Sequence, residues 1–343
     1  MKRKGFILLP AVIAMSLTAC ASGVKHGIKE YIAGELDYTS NFRILQLTDT
    51  HLGDKDNLDT HFKFMDKTIE EAHANMIVVT GDLFTFASKS TALAFFKYLD
   101  SKGLPWTVTY GNHDEQCYFS VDWLTGQLNK LSEDLNSFCI YKDIQDDDVQ
   151  GNANFAINLK KDGKVFEQLI IMDSNRYYFG SYFGYDYFKE NQIKWYEDLV
   201  NEAKKDNGGT VVPSLMFYHI PLPEAQTAWD DLQEHKPDAE AVSFKVNGVD
   251  QYGDLLEDVC CPQYNSGFFK VIKELGSTTG MYFGHDHVNN FIIKYQGIDF
   301  GYGVKATDRV YYGESKLGGR VIILHDDHTT SYEDFYHTYA EVK

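Results

Sequence analysis

Residues 106–114 read WTVTYGNHD, a β-branched segment that runs into a glycine and three polar side chains. The first four residues have the composition of a buried strand, and Gly111 lets the backbone turn sharply after it. Asn112, His113 and Asp114 then supply an amide, an imidazole and a carboxylate in consecutive positions. Open α/β sheets bind ligands beyond the carboxyl ends of their strands, so this stretch predicts a strand that ends in polar ligand atoms.

Four further motifs have the same arrangement, each placed just after an apolar segment. They are Asp49-Thr50-His51, Gly81-Asp82, His219 and Gly284-His285-Asp286-His287. We expect one edge of one sheet to collect all of them. Taken singly, a Gly-Asp pair is common in turns, and a lone histidine is more often a packing residue. Together and in this order, the carboxylates and imidazoles favour a site for two adjacent metal ions.

Short apolar runs alternate with helical patterns along most of the chain. The predicted strands cover residues 42–47, 76–80, 106–109, 155–159, 169–172, 215–218, 281–283, 291–295, 298–302 and 320–324. The predicted helices cover residues 60–74, 91–101, 121–131, 190–203 and 267–275. This alternation predicts an α/β fold of two packed sheets flanked by helices.

The first residues have the features of an export signal. Three basic residues at positions 2–4 precede an apolar run over residues 5–17, which is too short for a permanent membrane span. The following Leu17-Thr18-Ala19-Cys20 resembles the bacterial lipobox, which implies that residues 1–19 are a signal peptide and that Cys20 is lipidated. An ordinary cleaved secretory peptide with an incidental cysteine is the alternative.

Lipidation at Cys20 predicts a protein that is exported and held at a membrane of the cell envelope, since each buried CH₂ contributes about 0.8 kcal/mol. We expect residues 20–38 to be a tether and residues 39–343 to be one domain. The choice of membrane and the oligomeric state stay open.

The 343-residue chain carries a formal net charge of −18. This charge argues against a general nucleic-acid binder, which needs a basic face to displace counterions. It does not exclude a phosphate-ester substrate, because two bound cations can dominate the local field. The 23 Tyr and 23 Phe residues are enough to line surfaces or pockets as well as the core.

Four cysteines follow Cys20, and an exported compartment permits disulfides. Four cysteines allow three pairings. We favour a bridge between Cys117 and Cys139, which flank a predicted helix, over buried free thiols. A redox sensor built on the vicinal Cys260 and Cys261 is a further alternative, although adjacent cysteines are hard to join without strain.

The ordered motifs resemble the calcineurin-like metallophosphoesterase superfamily, from about residue 43 to residue 324. The resemblance is closer to its purple-acid-phosphatase-like subgroup, which shares Asp-Ser at 173–174, Gly-Tyr at 184–185, His-Ile-Pro-Leu-Pro at 219–223 and Asn-Ser-Gly-Phe-Phe at 265–269. It implies a four-layer α/β/β/α sandwich of two mixed sheets. It also implies hydrolysis of a phosphate ester, in which a metal-bridging hydroxide attacks phosphorus in line.

The resemblance implies a role for each motif residue. The implied ligands are Asp49, His51 and His287 for one metal ion, Asn112, His219 and His285 for the other, and Asp82 between them. His113 would not be a ligand but would stabilise the phosphoryl oxygen or protonate the leaving alkoxide. Asp114 would orient His113.

One position departs from the purple enzymes of this subgroup. Those enzymes have a tyrosine three residues after the bridging aspartate, whereas this chain has Thr85 there and takes its third ligand from His51. The sequence therefore predicts no tyrosinate-to-iron colour. The metal pair stays open among Mn, Fe and Zn.

Three residues are weaker candidates for substrate contact. Asn265 lies in a segment that matches the subgroup, with a helix N-cap as its alternative role. Arg176 and Tyr185 lie in an aromatic loop, together with Tyr182, that could line the pocket.

Phosphomonoester hydrolysis is the favoured activity. A phosphodiesterase, a nucleotidase or a protein phosphatase of the same fold is the alternative within the class, because substrate choice depends on loops rather than fold. A catalytically inert surface-binding lipoprotein is the alternative outside it. Such a protein would be expected to lose a ligand or His113, and this chain has all of them.

Overall fold

A computed structural model describes residues 26–144, 148–181 and 183–342. The predicted signal peptide over residues 1–19, Cys20 and Tyr182 lie outside these ranges. Within them, no helix combines the length and the apolar composition that crossing a bilayer requires.

Among the residues that the structure describes, seventeen strands and six α-helices build the fold. The strands are β1 (Ile32–Asp37), β2 (Phe42–Leu47), β3 (Met76–Thr80), β4 (Trp106–Thr109), β5 (Phe155–Lys161), β6 (Lys164–Ile171), β7 (Tyr177–Phe179), β8 (Phe183–Tyr185), β9 (Ser214–Phe217), β10 (Ala239–Ala241), β11 (Phe244–Val246), β12 (Val249–Gln251), β13 (Thr278–Phe283), β14 (Ile292–Tyr295), β15 (Ile298–Tyr302), β16 (Gly318–Leu324) and β17 (Thr330–Tyr336). The helices are α1 (Leu58–Ala72), α2 (Lys89–Asp100), α3 (Val121–Glu133), α4 (Glu190–Asp206), α5 (Pro223–Gln233) and α6 (Phe268–Leu275). Three short 3₁₀ helices cover Ile28–Tyr31, Asp114–Gln116 and Tyr339–Glu341.

Two large sheets hold most of the strands. The larger sheet has the order β1-β5-β6-β9-β13-β15-β14-β10, and the smaller has the order β12-β11-β17-β16-β2-β3-β4. Each sheet contains both parallel and antiparallel neighbours, such as β6 with β9 and β5 with β6 in the larger one. The separate hairpin β7–β8 forms a third, two-stranded sheet. The predicted sandwich of two mixed sheets flanked by helices is confirmed.

Alternate side chains of the larger sheet belong to different cores. In β9, Leu215 and Phe217 join the core that lies between the two sheets, whereas Met216 lies in the core beneath the helices. The second core also contains Trp195 of α4 and Phe268 of α6. Because successive side chains of a strand point to opposite faces, this alternation places the sheet between a partner sheet and a helical layer.

The predicted tether over residues 20–38 is wrong from residue 28 onward. Residues Ile28–Tyr31 form a 3₁₀ helix, and β1 pairs in parallel with β5 at the edge of the larger sheet. Tyr31 packs edge-on against Trp195, with 5.7 Å between ring centroids. Gly34 interrupts this short strand and weakens its pattern, which explains why the sequence did not predict it. The folded domain therefore includes residues before 39.

The predicted Cys117–Cys139 disulfide is also wrong, because Cys117, Cys139, Cys260 and Cys261 are all free thiols. Cys117 precedes the first turn of α3. The Cys139 thiol lies 3.9 Å from the Leu128 carbonyl, about two turns further along that helix. The helix that the two cysteines flank therefore keeps them apart.

Candidate metal centre

The motif residues come from both large sheets. Asp49, Asp82 and Asn112 follow β2, β3 and β4, which are neighbours in the smaller sheet. His219 and His285 follow β9 and β13, which are neighbours in the larger sheet. The expectation that one edge of one sheet collects every motif was therefore wrong. The site forms where the carboxyl ends of strands from two sheets meet.

Hydrogen bonds join the two sheet edges directly at the site. The backbone N–H of His285 donates to Asp49 Oδ2 at 3.1 Å. On the other side, His219 Nδ1 lies 2.8 Å from the Thr80 carbonyl oxygen. Each contact spans the gap between the sheets, so the relative position of the sheets fixes the relative position of the motifs.

One group of four buried side chains comprises Asp49, His51, Asp82 and His287, with ligand atoms within 4.8 Å of one another. His287 Nε2 lies 3.4 Å from Asp49 Oδ1, and His51 Nε2 lies 3.5 Å from Asp82 Oδ2. The Nε2 atoms of His51 and His287 face each other at 3.0 Å. Two imidazoles and two carboxylates thus converge on one point.

A second group comprises Asp82, His219 and His285, again with ligand atoms within 4.8 Å of one another. His219 Nε2 lies 3.2 Å from Asp82 Oδ2, the same oxygen that faces His51. The other carboxylate oxygen of Asp82 accepts from the His113 backbone N–H at 2.8 Å. One oxygen of Asp82 therefore belongs to both groups, while the second oxygen fixes the carboxylate.

Several ligand atoms are buried without a hydrogen-bond partner among the described residues. They are Asp49 Oδ1, Asp82 Oδ2, Asn112 Oδ1, His219 Nε2, and Nδ1 and Nε2 of His285. A buried polar atom without a partner costs about 1–3 kcal/mol. These unpaired lone pairs converge on one point, where bound cations would satisfy them. The mixture of imidazole, carboxylate and amide oxygen suits Mn, Fe or Zn.

Each of three histidines is held by a contact on the far side of its ring. The Nδ1 atoms of His51 and His287 lie 2.8 Å from Thr85 Oγ1 and the Tyr311 carbonyl oxygen, respectively. His219 has the equivalent contact with Thr80, described above. A proton on Nδ1 leaves the Nε2 lone pair free toward the site, which is the usual outer support of a metal-binding histidine. Thr85 thus supports a ligand at the position where the purple enzymes supply one.

The backbone at the site adopts conformations that side chains rarely accept. Asp49, His51, Asp82 and His285 have φ values of 54°, 46°, 48° and 81°. Left-handed backbone of this kind is costly outside glycine and concentrates at functional sites. At Gly284, a Cβ atom would lie 1.9 Å from Thr48 Oγ1 and 2.7 Å from Asp49 Oδ2. This glycine is therefore needed for the close approach of β13 to the Asp49 carboxylate.

Burial and the neighbouring charges shift the pKa values of the cluster in opposite directions. Burial disfavours protonation of His219, but the Asp82 carboxylate outweighs burial and raises the His219 pKa to about 10. Burial, reinforced by His219, lowers the pKa of His285 to about 3. Protons and cations therefore compete for His219 Nε2.

Lys305 is a buried cation beneath the site. Its Nζ donates to the Asp49 carbonyl oxygen at 2.8 Å. Burial lowers the Lys305 pKa to about 8, against the opposing effect of Asp49. The contact holds the left-handed backbone of Asp49 in place.

His113 lies beside the cluster, with its ring centroid 5.0 Å from that of His51. Its Nδ1 lies 2.8 Å from Gln116 Oε1. The predicted partner, Asp114, instead accepts from the backbone N–H groups of Gly111 and Phe84, at 2.8 and 3.0 Å. The role given to Asp114 was therefore wrong. Gln116 contacts the His113 ring, and Asp114 braces the loop.

One of the weaker substrate candidates contacts a motif histidine. The ring of Tyr185 packs edge-on against His285, with 4.4 Å between centroids. Arg176 lies beside the loop that carries His113, because its Nε is 3.7 Å from Glu115 Oε2, and its Nη2 is 3.9 Å from Asp173 Oδ2. Asn265 is exposed, donates to Glu224 and accepts from the Gly267 N–H. Because Gly267 is the N-cap of α6 and receives no side-chain cap, Asn265 does not fill the predicted N-cap position either.

The sequence did not point to Gln116, Tyr177, Lys305 or Tyr311. Gln116 follows His113 by three residues in a 3₁₀ turn, so its position was accessible in principle. The Tyr177 hydroxyl accepts from Asn112 Nδ2 at 2.7 Å. Tyr311 stacks on the ring of His287, with 4.1 Å between centroids. Contacts between residues so distant in the chain leave no local pattern.

A family model described as Calcineurin-like phosphoesterase matches residues 42–300. The chain therefore belongs to the calcineurin-like phosphoesterase family and is a phosphoesterase, a hydrolase of phosphoric esters.

Three known proteins are similar to this chain. The protein named Probable inactive purple acid phosphatase 14, from Arabidopsis thaliana, is 26% identical over 360 residues, which cover 92% of this chain and 82% of the relative. Phosphatase DCR2 from Saccharomyces cerevisiae is 26% identical over 275 residues, which cover 74% of this chain and 45% of the relative. The solved structure of a novel phosphatase from Mycoplasma pneumoniae is 11% identical, with a TM-score of 0.45 and coverage of 89% of this chain and 98% of that one.

The substitution Gly284→Ala should weaken metal binding without unfolding the protein. The added Cβ must displace Thr48 or the Asp49 carboxylate, and we expect at least a tenfold loss of Mn²⁺ or Zn²⁺ affinity by calorimetric titration. Gly126→Ala is the matched control, because a Cβ there meets nothing within 4 Å. Unchanged metal affinity in Gly284→Ala would contradict the close-packing role.

Gln116→Ala and Asp114→Ala should have different consequences. Gln116→Ala frees the His113 ring, so we expect slower turnover with the melting temperature and metal content preserved. Asp114→Ala leaves two buried N–H groups without an acceptor, at about 1–3 kcal/mol each, so we expect lower thermal stability. Normal turnover in Gln116→Ala, measured beside its melting curve, would show that this contact does not position His113.

Proposed function

We propose that the protein hydrolyses phosphate monoesters with two metal ions held in this centre. The observation that carries the proposal is the position of Asp82 Oδ2, at 3.5 Å from His51 Nε2 and 3.2 Å from His219 Nε2. A carboxylate oxygen shared by two sets of nitrogen and oxygen ligands is the arrangement that a two-metal site needs. We assign Asp49, His51 and His287 to one ion and Asn112, His219 and His285 to the other.

When bound, the two cations supply an activated water nucleophile and neutralise the charge on the phosphoryl oxygens. Mn, Fe and Zn all suit the donor set. The chain's own residues would then bind and orient the substrate and protonate its leaving group. Tyr177 holds the Asn112 side chain in place. Its hydroxyl accepts from the Asn112 amide nitrogen and leaves Asn112 Oδ1 free to face the metal centre.

His113 is the proposed general acid. In its protonated form the ring carries an N–H on both nitrogens, and Gln116 accepts from only one of them. The N–H on Nε2 is left to stabilise a phosphoryl oxygen or to protonate the leaving alkoxide. The backbone N–H of His113 donates to Asp82, so this hydrogen bond fixes the position of the proposed general acid relative to the shared carboxylate.

The charge of the substrate favours a phosphate monoester over a phosphate diester as the substrate of this site. A phosphate monoester brings two negative charges, which two cations and a protonated imidazole can neutralise together. A phosphodiesterase or a nucleotidase with the same centre is the alternative within the family.

An inert surface-binding protein is the second candidate, since the Arabidopsis relative is named as inactive. Against it, every ligand and His113 are present in this chain.

The metal requirement can be tested with chromogenic substrates. We expect chelated protein to lose turnover of p-nitrophenyl phosphate, to regain it with Mn, Zn or Fe, and to hydrolyse bis-p-nitrophenyl phosphate more slowly. His113→Ala should keep both metals but lose about 10²–10⁴-fold in rate, whereas Asp82→Ala should lose metal and activity together. Equal metal loss in both variants would contradict the role of His113. A folded protein that turns over neither substrate with any metal would favour the inert candidate.

We further propose that the protein is exported and anchored through lipid on Cys20. The basic, apolar and small residues that precede this cysteine support the proposal. We expect an alkyne fatty acid fed to cells of the natural host to label the protein and not its Cys20→Ser variant. Equal labelling of both, or of neither, would contradict the anchor.

A further inference from the structure

The hairpin β7–β8 carries four aromatic side chains on one face. Tyr177 pairs with Tyr185, and Phe179 pairs with Phe183. Because alternate residues of a strand share a face, these four rings stand together. We call Tyr177, Phe179, Phe183 and Tyr185 the aromatic face.

The rings of Phe183 and Tyr185 are stacked beside that of Tyr177, whereas the ring of Phe179 is tilted by 44° to that of Phe183. The ring of Tyr177 is inclined by 16° to that of Phe183 and by 25° to that of Tyr185, at centroid distances of 6.0 and 5.9 Å. Phe179 and Phe183 are 5.2 Å apart. A further flat ring can pack against such a row in the offset geometry that aromatic groups prefer.

The inner end of the row touches the metal centre. Tyr185 packs against His285, and the Tyr177 hydroxyl accepts from Asn112, both at the distances given above. The two residue pairs lie about 7 Å apart along the hairpin. The outer pair is therefore within reach of a ring joined to a bound phosphate through a spacer of a few bonds.

The outer end of the row is bare. Phe179 is 77% exposed and Phe183 is 68% exposed. Two neighbouring phenylalanines open to water beside a cluster of ligands are unfavourable unless something covers them, and such patches mark binding sites. Both residues of the outer pair are phenylalanines, so this end of the row offers ring surface rather than polar groups.

We propose that the aromatic face stacks on a planar aromatic ring in the leaving group of the substrate. This inference rests on the proposed phosphate-ester hydrolysis and narrows its substrate class to aromatic or nucleoside-like esters. The continuity of the row with His285 and Asn112 favours a part of the substrate over a separate partner. A docked protein or a membrane surface would not require rings that reach the ligands themselves.

Binding can be measured without turnover by using phosphonates, whose carbon–phosphorus bond resists hydrolysis. We expect the metal-loaded full-length chain to bind 3-phenylpropylphosphonate, whose spacer lets the ring reach the outer pair, about tenfold more tightly than propylphosphonate in a calorimetric titration. The double variant Phe179→Ala/Phe183→Ala should bind both compounds alike. Phe138→Ala is the matched control, because Phe138 is also an exposed phenylalanine, with 44% of its surface accessible. It lies away from the site, since its backbone carbonyl oxygen accepts from the N–H of Trp106, at the opposite end of β4 from Asn112.

Turnover can be compared on two esters that share the same scissile bond. AMP and ribose 5-phosphate release the same primary alkoxide, but only AMP carries a base. We expect kcat/KM for AMP to exceed that for ribose 5-phosphate, and to fall about tenfold in Phe183→Ala, since this variant loses the stacking of the base on one aromatic side chain. Phe183→Trp should retain the preference, and ribose 5-phosphate should be unaffected by either substitution.

The outcomes separate this inference from the proposed function. The proposed role of the aromatic face is contradicted if the wild-type chain binds the two phosphonates equally, or if its preference survives in the double variant. Either result leaves the proposed hydrolysis unaffected. Failure to bind either phosphonate overturns both proposals. A preference for 3-phenylpropylphosphonate without turnover of any ester supports the aromatic face and contradicts the proposed enzymatic activity.

Discussion

The structure depends on one carboxylate oxygen, Asp82 Oδ2, that faces ligands from two directions. His51 belongs to the smaller sheet and His219 to the larger one, and this oxygen lies within 3.5 Å of both ring nitrogens. Without a charge to bind, a buried carboxylate in this position would be costly. The two sheets must therefore meet at their carboxyl edges, and the loops that carry the motifs must turn tightly enough to bring their side chains inward. The left-handed backbone at Asp49, His51 and Asp82 is the local consequence of this constraint.

Around this oxygen, a second layer of contacts leaves the ligand atoms little freedom. Thr85, Thr80 and the Tyr311 carbonyl each support one imidazole from behind. The proposed reaction then uses two groups beside these ligands. His113 is tied to Asp82 through its backbone, and the aromatic face is joined to the ligands through Asn112 and His285. In this arrangement the phosphate would be held by charge and the leaving group by ring stacking, so the family's chemistry and this chain's substrate preference depend on different residues.

Much of the fold and of the candidate site could be predicted from the sequence, because each inner strand is a compact apolar run followed by glycine or polar residues. The elements that were missed lack that pattern. Strand β1 is short and interrupted by Gly34, and the strands of the hairpin β7–β8 have three residues each. Helix α5 does begin with a proline at its first position, a signal that could have been used. The contact between Lys305 and Asp49 forms only when the two sheets pack together. No local sequence pattern around either residue predicts it.

The shared role of Asp82 can be tested directly by anomalous diffraction from crystals grown with Mn²⁺. Two sites that share Asp82 Oδ2 predict two anomalous peaks per chain, about 3.5–4 Å apart, one beside His51 and His287 and the other beside His219 and His285. The same data from Asp82→Ala crystals should show neither peak at full occupancy. A single peak in the wild-type protein, or two peaks that do not contact Asp82, would contradict a centre built around this one oxygen.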